Sequence, residues 1–161
     1  MIARITRLIA TAVFFAVVIA HVAPALAQST PALRLIDYVN VARIENGLPT
    51  LPMYAPLSLA ALLHARDMAE NGFVEHTGSD GSNVGQRVTR TGYAWTLVAE
   101  NVAAGQETVQ EVVQGWMKSP GHKENILNEE ITEIGGGHVA VLHGGTGKNY
   151  SHFWVVVFGR R

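Results

Sequence analysis

Histidine and glutamate are the residues of this chain best suited to chemistry. The 161 residues include seven histidines and no cysteine. Imidazole and carboxylate are therefore the strongest metal donors on offer, and the chain has neither a thiol nucleophile nor a disulfide framework. His76 sits in a glycine-rich stretch, and Glu100 ends an alternating apolar run beside Asn101. His122 falls in a Ser-Pro-Gly-His turn. His152 lies on a C-terminal apolar run, on the face of Trp154, Val156 and Phe158. A loop, a strand end and a sheet face can converge on one cleft, although each ring taken singly also reads as a hydrogen-bonded, partly buried histidine. His64 falls on a core stripe and reads as structural, whereas His138 and His143 flank a hairpin and read as surface residues.

The elements that must position these side chains follow from periodicity and punctuation. Leu33 to Asn46 reads as a helix with Leu33, Ile36, Val39 and Arg43 on one stripe, stopped by Gly47. Three prolines between Leu48 and Pro56 make an extended connection. Leu57, Ala60, Ala61, His64, Ala65 and Met68 then fall at helical spacing, and Leu59, Leu62 and Leu63 suggest cover on a second side, up to Gly72. A loop runs to Asn83 and a short helix spans Asn83 to Thr91. Alternation from Tyr93 to Glu100 predicts a strand. Thr108-Val109-Gln110-Glu111 is a capping box opening a helix whose buried stripe is Val109, Val112, Val113 and Trp116. Ser119-Pro120 starts another, with Ser119 as N-cap. Ile131 to Leu142 and Asn149 to Phe158 are β-rich and flank Gly144-Gly145-Thr146-Gly147, which predicts an antiparallel hairpin. The sum is an α+β fold with helices on the faces of a small antiparallel sheet.

Residues 1–27 read as a secretory signal. Arg4 and Arg7 precede an apolar run from Leu8 to Ala20, and Pro24 leads into Ala25-Leu26-Ala27, an A-x-A cleavage pattern. A transmembrane anchor over the same stretch would hold His21 and Pro24 inside it. Cleavage leaves a short tail, residues 28–32, and one domain, residues 33–161, and loss of the two arginines takes the formal charge from −1 to −3. That balance lacks the basic footprint of a nucleic-acid binder, and 48% hydrophobic against 16% charged residues excludes a disordered polar chain. The expected location is secreted or periplasmic, with the signal segment as the sole membrane contact.

Two motif look-alikes fail on context. Gly135-Gly136-Gly137-His138-Val139-Ala140 fits G-x-G-x-x-A, but a strand pattern follows it where a dinucleotide site needs a helix. Gly147-Lys148 has Leu142 where a phosphate loop needs its first glycine.

Five segments, in order, resemble the CAP superfamily, also called SCP or PR-1-like, in its small bacterial secreted branch. They are Leu59 to Gly72 with Phe73-Val74-Glu75-His76, Ala99-Glu100-Asn101-Val102-Ala103, Gly115-Trp116-Met117-Lys118-Ser119-Pro120-Gly121-His122, Asn125-Ile126-Leu127, and His152 to Gly159. The resemblance implies an α-β-α sandwich with a central cleft, lined in many members by two histidines and two acidic residues that hold a divalent metal, often zinc. Carried over, His76 is the first histidine, Glu100 the first acid and His152 the second histidine. Ser119 stands where the second acid is expected, with His122 beside the same cleft. The expected function is a non-enzymatic binding module for a small-molecule, lipid or protein ligand, with a divalent metal such as zinc expected at His76, Glu100, His122 and His152. The alternatives are a metal-dependent hydrolase, in which zinc lowers the pKa of bound water to about 7, and a lipid or sterol carrier.

Overall fold

A computed structural model describes residues 30–141 and 150–161. The signal segment, His143 and the Gly144 to Gly147 turn lie outside the described residues. The element order is α1 (Pro31–Glu45), α2 (Ala55–Asn71), α3 (Val84–Arg90), β1 (Leu97–Ala104), α4 (Val109–Lys118), α5 (Pro120–Ile126), β2 (Glu133–Ala140) and β3 (His152–Arg160).

β3 is the middle of a three-stranded antiparallel sheet of order β1-β3-β2. Its near-continuous apolar run is what a strand covered on both faces requires. Phe153, Val155 and Val157 pack with Leu57, Ala61, Ala65 and Met68 of α2. Trp154, Val156 and Phe158 pack with α1, α4 and α5 on the other side. The result is an α-β-α sandwich, and the β2–β3 pairing is the expected hairpin.

Caps set the helix boundaries. Thr30 accepts from the Leu33 amide and Pro31 occupies the first turn, so α1 starts two residues earlier than the apolar stripe suggested. Residues 31 and 32, expected in a tail, belong to this helix. Leu33 turns outward at 40% exposure and Leu35 takes the core position. Gly47, at φ 79°, is the predicted helix stop. In α2 all six stripe residues are buried, but Leu59 and Leu63 remain about half exposed, so among the described residues no second layer covers that side. The capping boxes of α3 and α4 are both formed, and Val109, Val112, Val113 and Trp116 are buried. Ser119 precedes α5 as expected, though its hydroxyl makes no cap bond.

The predicted strand from Tyr93 to Glu100 is displaced to Leu97–Ala104. Pairing begins where Leu97 meets Arg160, and Tyr93 is instead buried with its hydroxyl donating to Glu133. Alternation at Tyr93 had reported burial rather than a ladder.

The triple glycine is a packing device. A Cβ at Gly135 would fall on the backbone of Leu57 and Ser58, and one at Gly137 on the backbone of Ala61 and Leu62. On the opposite face, a Cβ at Gly136 would lie 2.7 Å from the Ala32 carbonyl oxygen. Bare backbone lets β2 fit between α1 and α2.

One buried cation fixes the helix that carries His122. Arg43 is fully buried and donates to the carbonyls of Pro49 (2.9 Å), Ile126 (2.7 Å) and Asn128 (3.0 Å). The last two lie at the end of α5 and just beyond it, so a single side chain ties α5 to α1. Burial lowers the pKa of this guanidinium, and its hydrogen bonds offset the desolvation that a lone buried charge would suffer.

Candidate functional site

β1 is an edge strand, so groups from both helical layers can meet along it. Glu100 stands opposite Val157 and therefore faces the α2 layer. Its carboxylate is almost completely buried, and both oxygens are engaged. Oε2 accepts from Arg87 Nη2 at 2.7 Å, and Oε1 accepts from His76 Nδ1 at 3.0 Å. The second bond places the His76 proton on Nδ1 and leaves Nε2 facing outward, because the ring itself is exposed.

Supporting contacts come from each neighbouring element. The α3 capping box, formed by Asn83 and Gln86, sets the helix on which Arg87 sits, and Arg87 also donates from Nη1 to the Ser82 carbonyl at 2.7 Å. His64, fully buried on α2, meets the Glu75 carbonyl at 2.9 Å through Nε2 and so ties down the loop that presents His76. Burial is the main cause lowering the His64 pKa, which favours the neutral ring that donates to this carbonyl. Its structural reading from the core stripe is the one the geometry bears out.

On the other side of the strand, Asn101 is fully buried and donates to the His122 carbonyl at 2.9 Å. Asn125 donates to Asn101 Oδ1 (2.9 Å) and to the Glu100 carbonyl (3.2 Å), so α5 is bound to β1 next to the carboxylate. The His122 ring lies 6.3 Å from that of Trp116. Its pKa is lowered, first by burial and then by repulsion from His76.

His152 does not join this group. It shares the Trp154 face of β3, on the α1–α4 side of the sheet, whereas Glu100 faces α2. It is also five residues along the strand from the partner of Glu100, a distance of about 17 Å. There His152 Nδ1 lies 3.0 Å from Nε2 of His138. His138 is half-buried and packed on Trp154 rather than a surface residue. Its pKa is pushed down to about 4, by burial first and by His152 second. The expected four-residue set thus reduces to His76, Glu100 and His122. Arg87 is the member that sequence reasoning missed; it lies on a short helix between Val84 and Val88 with nothing local to announce a carboxylate partner.

A cavity of about 300 Å³ adjoins the cluster, lined by Leu59, Leu63, His64, Asp67, Arg87 and Arg90 among others. It combines an apolar wall with cationic and acidic groups.

The Glu100 contact predicts the protonation of His76. Hydrogen bonding to the carboxylate raises its pKa above the ordinary 6.5. The protonated ring then stabilises the fold below the unfolded-state value, and this contribution is lost as pH rises through the raised native value. In an NMR titration the His76 ring should reach its midpoint above 6.5 in the wild type. In Glu100→Gln the midpoint should fall, since the remaining influences, burial and Arg87, act downward. An unchanged midpoint would show that the bond to Glu100 is absent in solution.

Fold and site together define an α-β-α sandwich with a histidine–glutamate–arginine cluster on its edge strand. Residues 36–158 match the model of the CAP family, described as the cysteine-rich secretory protein family, and the chain belongs to it; the family description notwithstanding, this member contains no cysteine. An uncharacterised Bacillus subtilis protein, YkwD, is 33% identical over 106 residues, which are 66% of this chain and 41% of that protein. An uncharacterised Borreliella burgdorferi protein is 33% identical over 78% of this chain and 77% of its own length. Among solved structures, an extracellular SCP-domain protein of Bacillus anthracis matches with a TM-score of 0.70 and 28% identity, over 81% of this chain and 40% of that one. An outer surface protein of Borrelia burgdorferi matches with a TM-score of 0.70 and 30% identity, over 80% and 90% respectively. The chain spans less than half the length of these Bacillus relatives. Among the described residues no helix is long and apolar enough to cross a membrane.

Proposed function

We propose that this chain is an exported CAP-domain binding module, secreted or periplasmic, whose ligand site is the cleft around Glu100. The observation that carries this reading is the double engagement of the carboxylate. With Arg87 on one oxygen and His76 on the other, and its side chain only 2% exposed, Glu100 is a positioning group shielded from the water it would have to activate. The description of two solved relatives as extracellular and outer surface proteins supports export.

The donor set bears on the metal expected from the family. No group of three or more histidine, aspartate or glutamate side chains among the described residues is arranged to hold an ion. Two imidazoles remain. Glu100 accepts the Nδ1–H hydrogen bond of His76, as carboxylates behind metal-binding histidines do, which directs Nε2 outward as a ligand. His76 and His122 would therefore hold a divalent ion, with solvent or the bound ligand completing its coordination and Glu100 staying outside it. Such an ion supplies Lewis acidity to whatever ligand reaches the rim. Calorimetry with Zn²⁺ on the chelator-treated protein should show binding that a His76→Ala/His122→Ala double variant loses. Equal binding by that variant would remove the metal from the reading. Chelator-sensitive turnover of a peptide or ester substrate, abolished in Glu100→Gln, would overturn the non-enzymatic assignment itself.

The neighbouring cavity favours a second reading, a carrier of a small amphipathic lipid, because Leu59 and Leu63 leave apolar surface open beside Arg87 and Arg90. Native mass spectrometry of protein prepared from a bacterial envelope should then show a bound apolar molecule that Leu63→Glu displaces. Detection of the unliganded mass alone would count against it.

A further inference from the structure

A second pair of imidazoles lies on the face of the sheet away from Glu100. The β2–β3 register puts His138 opposite Trp154 and His152 opposite Ala140, so the two rings are diagonal neighbours on one face. Their facing nitrogens, Nε2 of His138 and Nδ1 of His152, are 3.0 Å apart, and the ring planes differ by 17°. Trp154 backs both rings, with centroid separations of 4.0 Å to His138 and 6.0 Å to His152. The indole is itself anchored through Nε1 to the Gln106 carbonyl at 2.9 Å. The pair opens on a cavity of about 260 Å³, also lined by Pro31, Arg34 and Glu107.

We propose that His138 and His152 form a binding site for a divalent transition-metal ion of the copper or zinc class, separate from the cleft. Two nitrogens held on one ion at about 2.0–2.1 Å, with an angle between square-planar and tetrahedral, are themselves about 2.8–3.4 Å apart. The existing 3.0 Å separation lies in that window, so the strands already hold the donors at the required spacing. Rotation of the rings turns facing lone pairs into converging ones. The proton between the two facing nitrogens moves to the outer nitrogen of its own ring, and both rings stay neutral. Water fills the remaining positions, and Glu107, exposed on the same cavity, adds a negative charge at its mouth. Arg34, exposed at the same mouth, opposes the added charge through screened solvent, which makes the ion exchangeable rather than permanent.

The probe is Cu²⁺ added to the purified protein, followed by calorimetry and electron paramagnetic resonance. In a His76→Ala/His122→Ala background, which lacks the imidazoles proposed for the cleft, the protein should bind one ion whose signal carries the coupling of two imidazole nitrogens. His152→Ala should weaken that event at least tenfold. His138→Gln, which keeps the side-chain volume and a hydrogen-bonding group, should do the same with an unchanged circular dichroism spectrum. Folded His138→Gln and His152→Ala proteins that bind the ion with undiminished affinity would overturn the site, as would a signal from a single imidazole. If the wild type and the His76→Ala/His122→Ala protein bind the same single ion, the metal reading of the cleft fails and this site stands.

Discussion

Glu100→Ala is expected to lower the unfolding free energy by about 3–5 kcal/mol, read as a large fall in the urea midpoint. The cost does not come from His76, whose exposed ring regains water when the carboxylate is removed. It comes from Arg87, whose side chain is only 9% exposed and keeps just the Ser82 carbonyl as partner. A buried guanidinium without its counter-charge is the expensive species. Removing both members should therefore hurt less than removing one. A Glu100→Met/Arg87→Met protein is expected to be more stable than Glu100→Ala, because an apolar pair needs no desolvated charge. The Arg90–Asp80 pair is a built-in contrast. It has a shorter bond, 2.6 Å, but both side chains are more than half exposed. Asp80→Asn should move the midpoint hardly at all. Equal midpoints for Glu100→Ala and the wild type would mean that the buried ion pair does not organise this cleft.

Gly135→Ala should be comparably severe, at about 3 kcal/mol or more, the upper end of the range for forcing extra volume into a packed core. The added methyl would meet the backbone of Leu57 and Ser58 rather than a side chain that can rotate away. Relief requires β2 and α2 to separate, and that interface buries Leu57, Ala60, Ala61 and His64. The same substitution at Gly115 should have the opposite sign. That residue lies within α4, and an added methyl there would have nothing within 4 Å. Alanine at this position should stabilise by about 0.5–1 kcal/mol through helix propensity alone. Thermal or urea denaturation of the two variants separates the effects. A Gly135→Ala protein as stable as the wild type would show that the close β2–α2 approach is not required.

Local rules carried the helices. The spacing from Leu57 to Met68, the Thr108–Glu111 capping box, and Ser119-Pro120 each depend on residues a turn or less apart. Neighbouring residues are enough to specify them, so the chain alone determined where α2, α4 and α5 lie. The same holds for the parity of β3, because successive side chains alternate and His152 had to share a face with Trp154. Glu100 and His76 were legible as candidates through their place in the family-like segments.

Tertiary structure alone decided which layer covers each sheet face and how β1 registers on β3. Glu100 pairs with Val157, whereas Asn101 pairs with Val156. A shift of one residue would have turned Glu100 toward Trp154 and Asn101 toward His64. No residue near Glu100 in the chain encodes that choice. It arises from long-range packing of α2 against the β2 glycines and of α1, α4 and α5 against the other face. That packing brought Arg87 to Glu100 and sent His152 to His138, because partners separated by many residues meet only when the layers close around the sheet.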